Sequence, residues 1–380
     1  MTVRMLLRRV KLENLLSFRD TTVELRGLNV LIGANASGKS NLIEAIGLLQ
    51  AAPMDLNAAI LRLGGVRVVC SLVAPSLIAK IECIGIKNDP LRYEIEFSEQ
   101  AGGFTILREH LSLVGPGTGN GSEEFFFRRV GDAVGFGKNV GKISSTQSVL
   151  AVYKNPADPT PISSIGRRFE GIRIYREFRT TGDSQVRIGV STSQRKEFLH
   201  DGGGNLALVL LDMNFKGLHE RIREYLRRFC DRFNDLKVNL DGPIAKTYIE
   251  ESGLLEPLVS WRLSDGTLKF ICLLAVLLDP DPAPLICIEE PEVGLHPEAI
   301  QIVAEALVGA SERTQLIVTT HSEALIDALS DRPEDVLVTE RDFDNSTQFR
   351  RLDKEQLSVW LERYSLGQLW RKGELGGNRW

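Results

Sequence analysis

Cysteine is scarce in this 380-residue chain. The five cysteines, Cys70, Cys83, Cys230, Cys272 and Cys287, are odd in number, widely spaced and free of any CxxC pair, which argues against a disulfide framework or a zinc cage. Histidine is equally sparse, and its five copies form no HExxH or HxH cluster. No apolar run approaches the ~20 residues of a membrane helix. The opening MTVRMLLRRVKLENLLSF mixes charge with apolar residues and holds no signal-peptide core. Excess charge is small as well: 46 Lys and Arg against 50 Asp and Glu leave a net −4. The chain as a whole is therefore no basic nucleic-acid coat, and contact with DNA would need a local patch. The expectation is a reduced, cytoplasmic protein with no membrane partner. At 43% hydrophobic and 25% charged residues, it has the composition of one large α/β domain or two smaller ones.

Strands are expected over 4–32, ending in Leu28 to Ile32 before a glycine. Leu42, Ile43, Ile46 and Leu49 then mark one helix face between Asn41 and Leu49. From Val66 to Val130 the pattern shifts to period two in VRVVCSLV, LIAKIECIGI, LRYEIEF and FFFRRV, which predicts an antiparallel β lobe inserted after that helix. The stretch GPGTGNG (115–121) predicts a flexible loop, and 131–142 is again glycine-rich. Residues 206–236 read as helical, with Leu218, Ile222, Leu226, Phe229 and Phe233 as an apolar stripe. Short apolar runs near Leu263, at Leu285–Ile288, at Leu316–Val318 and at Val336–Val338 alternate with helical segments, which implies a parallel sheet.

The sharpest motif is Gly33-Ala34-Asn35-Ala36-Ser37-Gly38-Lys39-Ser40, followed by Asn41. It fits G-x-x-x-x-G-K-[ST] between a strand and a helix. Glycines let backbone N–H groups curl around phosphate oxygens, and the helix N-terminus adds positive potential. Lys39 supplies a full charge to the β- and γ-phosphates, and the Ser40 hydroxyl suits Mg²⁺. Pro284 to Glu292 is an apolar strand ending in carboxylates: Glu289 is placed to hold the metal, Glu290 to orient or deprotonate an attacking water. Leu263-Ser264-Asp265-Gly266-Thr267 opens a long apolar helix, 26 residues before Glu290, and by itself is an ordinary N-cap. Thr314 to Ser322 is another strand with a polar tip, and its His321 lies 31 residues past Glu290. Singly, the last three are common patterns; their order after a phosphate loop is not.

In that order the sequence resembles the ABC-type ATPase heads of the SMC and RecF class. Val10 to Phe18 looks like the first strand of the class, Gly33 to Ser40 like its Walker A, and Leu263 to Thr267 like its signature loop. Ile286 to Glu290 looks like Walker B, Glu292 to His296 takes the D-loop position, and His321 that of the switch histidine. More narrowly, the chain is similar to compact AAA/RecF-like ATPases through IRIYR (172–176), LSDGTLKF (263–270), EEPEVGLHP (289–297) and LGQLWRKGELGGNRW (366–380).

The resemblance implies a P-loop NTPase of the ABC-head type, 1–380, with a mainly parallel core sheet, an antiparallel β lobe and a helical lobe. Its expected parts are a Walker A lobe over 1–180 with the β insertion at about 66–135, a helical signature lobe over 181–283, and the Walker B, D-loop and switch strands with a C-terminal helix over 284–380. Only about 220 residues separate Walker A from the signature, without heptads, so coiled-coil arms are not expected. Overcoming-lysogenization nucleases add a TOPRIM domain; the 59 residues after His321 are too few for one, so none is expected in this sequence. Ser-Asp-Gly stands where Ser-Gly-Gly is usual, and Glu289 where Asp is commoner. Gln147 is the candidate Q-loop glutamine and Arg62 a candidate phosphate-facing arginine.

The same resemblance implies slow ATP hydrolysis with Mg²⁺ and a homodimer in which Ser264, Asp265 and Gly266 complete the partner's ATP site. What such a switch would control divides into two readings. One is a DNA-acting ATPase in repair or anti-phage defence. The other is a regulatory scaffold for an effector such as a nuclease. Lys216, Arg221, Arg223, Arg227, Arg228 and Arg232 would serve the first, but interleaved Glu220, Glu224 and Asp231 favour a salt-bridged solvent face.

Overall fold

A computed structural model describes residues 5–70, 78–84, 91–100, 102–114, 124–137, 139–153, 155, 157 and 160–376. The GPGTGNG stretch and the last four residues of the C-terminal phrase lie outside these. The chain divides into two compact units, and it crosses between them more than once. One holds Arg4–Ile172 together with Glu334–Asp353; the other holds Arg173–Pro333 and Lys354–Glu374.

The first unit carries eight antiparallel strands in the order Phe18–Glu24, Arg9–Leu15, Ile78–Ile84, Leu91–Gln100, Gly103–Leu113, Glu124–Val130, Ala133–Phe136 and Asn139–Lys142. Alternation sets the inner face: Phe97, Ile106, Leu111 and Phe127 are fully buried. The helix Pro161–Glu170 joins that core through Phe169, whose ring meets Tyr93 edge-on at 5.4 Å. Separately, the wholly buried strand Leu28–Ile32 pairs in parallel with Val336–Arg341, which forms a hairpin with Thr347–Arg351. Leu28–Ile32 leads into the helix Lys39–Ala51, whose buried face includes Leu42, Ile43, Ile46 and Leu49.

Two details differ from the sequence reading here. The antiparallel sheet is larger than an insertion, because it includes both N-terminal strands and continues through the glycine-rich 131–142 as a hairpin. Val66–Val69 is a helical turn rather than a strand. Gly64 and Gly65 both take positive φ before it, and the Val69 carbonyl accepts from Leu16 N at 2.8 Å, so docking outweighs the β preference of valine.

In the second unit, Arg173–Tyr175, Leu285–Glu289 and Gln315–Thr319 form a parallel sheet. The helix Asp265–Leu277 is buried on nearly every side, as its unbroken apolar run requires, and Pro297–Ser311 packs beside it. The long helical stretch expected over 206–236 is two helices, Leu206–Phe215 and His219–Phe229. Cys230 is extended and ends the second, and Phe233 begins the strand Phe233–Asp241, paired with Ile244–Glu251. The aromatic stripe survives that change, since Phe229 stacks on Phe270 at 4.3 Å and lies 6.3 Å from Phe233. Leu263 follows a 3-10 turn at Ser260–Arg262 and is not in a strand. Among the described residues, no helix is long and apolar enough to cross a membrane.

One ion pair is buried in the β sheet of the first unit. Glu109 is 0% and Arg129 1% exposed. Glu109 accepts from Tyr93 Oη at 3.0 Å, Ser148 Oγ at 2.6 Å and Val149 N at 2.9 Å, with Arg129 Nη1 at 3.5 Å. Arg129 donates to the carbonyls of Gly131, Ser144 and Gln147 and so fastens the 131–149 segment. Burial pushes the Glu109 carboxyl above its ordinary range, against the opposing pull of those donors and of Arg129. Arg129→Met leaves a buried carboxylate without its cation and should cost about 3–5 kcal/mol in urea unfolding.

Candidate functional site

The phosphate loop is shaped by two close approaches. A Cβ at Gly33 would come within 2.4 Å of the Thr339 carbonyl, and one at Gly38 within 2.0 Å of Thr347 Oγ1. Gly38 also sits at φ +109°, a conformation glycine tolerates best. Lys39 is buried and folds back, its Nζ donating to the carbonyls of Gly33 at 2.8 Å and Ala34 at 3.0 Å. Asn35, Ala36 and Ser40 are exposed, with Ser40 at the second position of the helix.

A directed chain of hydrogen bonds holds the far side of the loop. Thr347 Oγ1 donates its proton to the Ser37 carbonyl at 2.8 Å, which leaves it an acceptor for the Ser17 hydroxyl at 2.7 Å. Ser17 Oγ in turn accepts from Asn41 Nδ2 at 2.7 Å. Arg341 Nε donates to the Ala36 carbonyl at 3.0 Å. Ser17, Thr347 and Arg341 were not singled out by the motif reading. Ser17 lies in the opening phrase that carried the resemblance, whereas Thr347, 330 residues from Ser17, sends no local signal.

In the second unit, Glu290 follows the strand end with its backbone at φ 44°, unusual for a side chain of its size. Its N–H donates to the Thr319 carbonyl at 3.0 Å, and its carboxylate lies 3.9 Å from His321 Nε2. Glu292 takes the Thr320 hydroxyl at 2.7 Å and His321 N at 2.9 Å, so it holds the tip bearing the histidine. Glu289 stands 3.6 Å from Arg176.

The signature segment meets the turn that follows Glu290. Ser264 caps its helix by accepting from Thr267 N at 3.1 Å. A Cβ at Gly266 would come within 2.7 Å of the Gly294 carbonyl, so glycine is required where the 291–296 turn crosses. Lys269 donates to the carbonyls of Glu290 at 3.2 Å and Val293 at 2.6 Å. Burial pulls its ammonium below the usual lysine range, opposed by Glu292 and Glu290. Arg187, also missed in the sequence, bonds the carbonyls of Trp261 at 3.0 Å and Leu263 at 2.9 Å and the Asp265 carboxylate at 2.5 Å.

Gln147 is exposed in the turn fastened by Arg129, and Arg62 is the exposed last residue of the helix Leu56–Arg62. Of the basic residues at 216–232, Lys216, Arg223, Arg228 and Arg232 each pair with a carboxylate.

Residues 5–97 match the family described as an AAA ATPase domain, and residues 162–327 match an AAA domain described as a putative AbiEii toxin of a type IV toxin–antitoxin system. The Old nuclease of Escherichia phage P2 is 26% identical over 371 residues, covering 86% of this chain. The chain spans 58% of the length of that relative. An SMC head bound to the C-terminal winged-helix domain of ScpA superposes with a TM-score of 0.59 at 14% identity, covering 92% of this chain and 99% of the other. An SMC head with an extended coiled coil, bound to the C-terminal domain of ScpA derived from Pyrococcus furiosus, gives 0.56 at 12% identity, covering 94% and 98%.

Thr347→Val keeps the shape of the side chain and removes the link between Ser17 and the Ser37 carbonyl. It should cost about 1–3 kcal/mol in urea unfolding, with Thr347→Ser restoring most of the loss. Equal stability of wild type and the valine variant would show that the hydroxyl chain does not hold the loop.

Proposed function

The chain has the fold of a compact SMC- and RecF-like ATPase head, and on that premise we propose that it binds and slowly hydrolyses ATP and pairs with a second copy while the triphosphate is intact. The observation that carries this reading is the phosphate loop: Gly38 admits no side chain, and Lys39 is folded over the loop with its charge buried among backbone carbonyls. Its backbone N–H groups and Asn41 would cradle the phosphates, and Lys39 would turn its ammonium to the β- and γ-oxygens.

Ser40 and Glu289 are the proposed donors to Mg²⁺; a hydroxyl and a carboxylate are the hard oxygen ligands this ion takes. The ion would neutralise charge on the β- and γ-phosphates. Glu290 would take the proton from the water that attacks the γ-phosphorus, ADP leaving with the β-phosphate oxygen. The strained Glu290 backbone and the Glu292 bonds beneath His321 support a fixed acid–base pair there. His321 would donate to the γ-phosphate. Ser264, Asp265 and Gly266 would complete the partner's site. Exposure of Ser264 and Asp265 supports this, as does the support Arg187 gives their loop. Loss of the γ-phosphate would release the pairing.

The biological output is proposed as control of a separate effector, a nuclease in anti-phage defence or DNA repair in the cytoplasm. The Old nuclease and AbiEii likenesses support this reading. Direct action on DNA is the second reading, weakened by the carboxylate partners of the basic helix. A salt series separates the two: steep salt-dependent DNA affinity favours direct action, and its absence with a copurifying protein favours effector control.

Glu290→Gln should lower ATP turnover by about 10²–10⁴-fold while keeping nucleotide binding, and should run as a dimer by size with ATP and Mg²⁺. Lys39→Ala should abolish binding and remain monomeric. A Glu290→Gln protein that binds ATP yet stays monomeric would refute the pairing.

A further inference from the structure

Phe343 is the most exposed large apolar side chain among the described residues, at 108% of its reference area. It stands at the tip between the strands Val336–Arg341 and Thr347–Arg351. This tip is held firmly. The Asp342 carboxylate accepts from Asp344 N at 3.0 Å, Ser346 N at 2.8 Å and Gln348 Nε2 at 3.0 Å. Asp342 N and Asn345 N close two further turns, onto the carbonyls of Ser346 at 2.9 Å and Asp342 at 3.0 Å. Arg19 pairs with Asp344 at 2.5 Å, and its N–H reaches Ser346 Oγ at 3.0 Å.

The same tip is wired to the phosphate loop of its own unit. Arg341 bonds the Ala36 carbonyl through Nε and the Asn345 carbonyl through Nη1, so one guanidinium spans loop and tip. Thr347, where the tip rejoins its strand, bonds the Ser37 carbonyl. An exposed aromatic side chain on a hydrogen-bonded turn is thus presented to water two residues from a backbone carbonyl that shares a cation with the phosphate loop.

A nucleotide gripped by its phosphates leaves its sugar and base outside the loop. An exposed ring on a turn tied to the loop is suited to cover a base face, because stacking removes apolar area from water on both partners. We propose that Phe343 is the stacking platform for the nucleobase of the nucleotide whose phosphates the Gly33–Ser40 loop holds; this rests on reading that loop as a triphosphate site. Stacking scales with ring area and reads no hydrogen-bonding edge, so the platform prefers purines to pyrimidines and discriminates weakly between adenine and guanine.

The test compares two probes on the full chain by calorimetric titration with Mg²⁺: ATP, and inorganic tripolyphosphate, which offers phosphates without a base. Phe343→Ala should weaken ATP binding about 5- to 100-fold and leave tripolyphosphate affinity unchanged. Phe343→Trp should bind ATP as wild type does, with its indole fluorescence quenched by ATP and not by tripolyphosphate. Unchanged ATP affinity in Phe343→Ala overturns the platform. So does an equal loss for both probes, and so does a variant that binds ATP normally but no longer pairs, which would make Phe343 a subunit contact. Wild-type protein that binds neither probe overturns the triphosphate reading of the loop itself and the platform with it.

Discussion

The hydrogen-bond chain from Asn41 through Ser17 and Thr347 to the Ser37 carbonyl is the constraint on which the phosphate loop depends. A loop built to surround an anion points its N–H groups inward, so its carbonyls turn outward and need partners of their own. Here Lys39, Arg341 and Thr347 satisfy the carbonyls of Gly33, Ala34, Ala36 and Ser37. Each hydroxyl in the chain has one proton, so the first bond fixes the direction of the others. That directionality places an acceptor where one N–H of the Asn41 amide donates.

A similar logic governs the carboxylate cluster. Positive φ at Glu290 turns the chain sharply after the strand, and the strain is balanced by bonds to Thr319 and by Lys269 on the Glu290 carbonyl. Lys269 belongs to the helix that Ser264 caps, and Gly266 of that helix touches the turn after Glu290. The serine cap and the catalytic carboxylate candidate are therefore parts of one packed cluster.

What was legible in the sequence follows from how local each signal is. The phosphate loop, the Leu285–Glu289 strand and the His321 tip were readable because motif, strand and turn lie within a few residues. The α/β class followed from alternating runs, and the SMC-type fold is shared with the solved heads. Misreadings arose where neighbours overrode propensity. Val66–Val69 is helical because its carbonyl docks on Leu16, and Phe233 continues a helical spacing while pairing with Glu251 in a hairpin. Arg187 and Thr347 give no local signal because their partners lie far off in sequence, and no periodicity announces such a contact.

The return of Glu334–Asp353 to the first unit has a consequence for biogenesis. The Ser37 carbonyl gains its Thr347 partner across 310 residues of chain. At ordinary rates of translation the ribosome needs about 15–60 s to cover that distance. During this interval the nascent loop has Lys39 but not its clamp, and the Leu28–Ile32 strand lacks its parallel neighbour at Val336–Arg341. An exposed, mostly apolar strand edge is the kind of surface that invites aggregation and chaperone capture. The loop's clamp is thus completed late in synthesis, after Arg173–Pro333 has emerged.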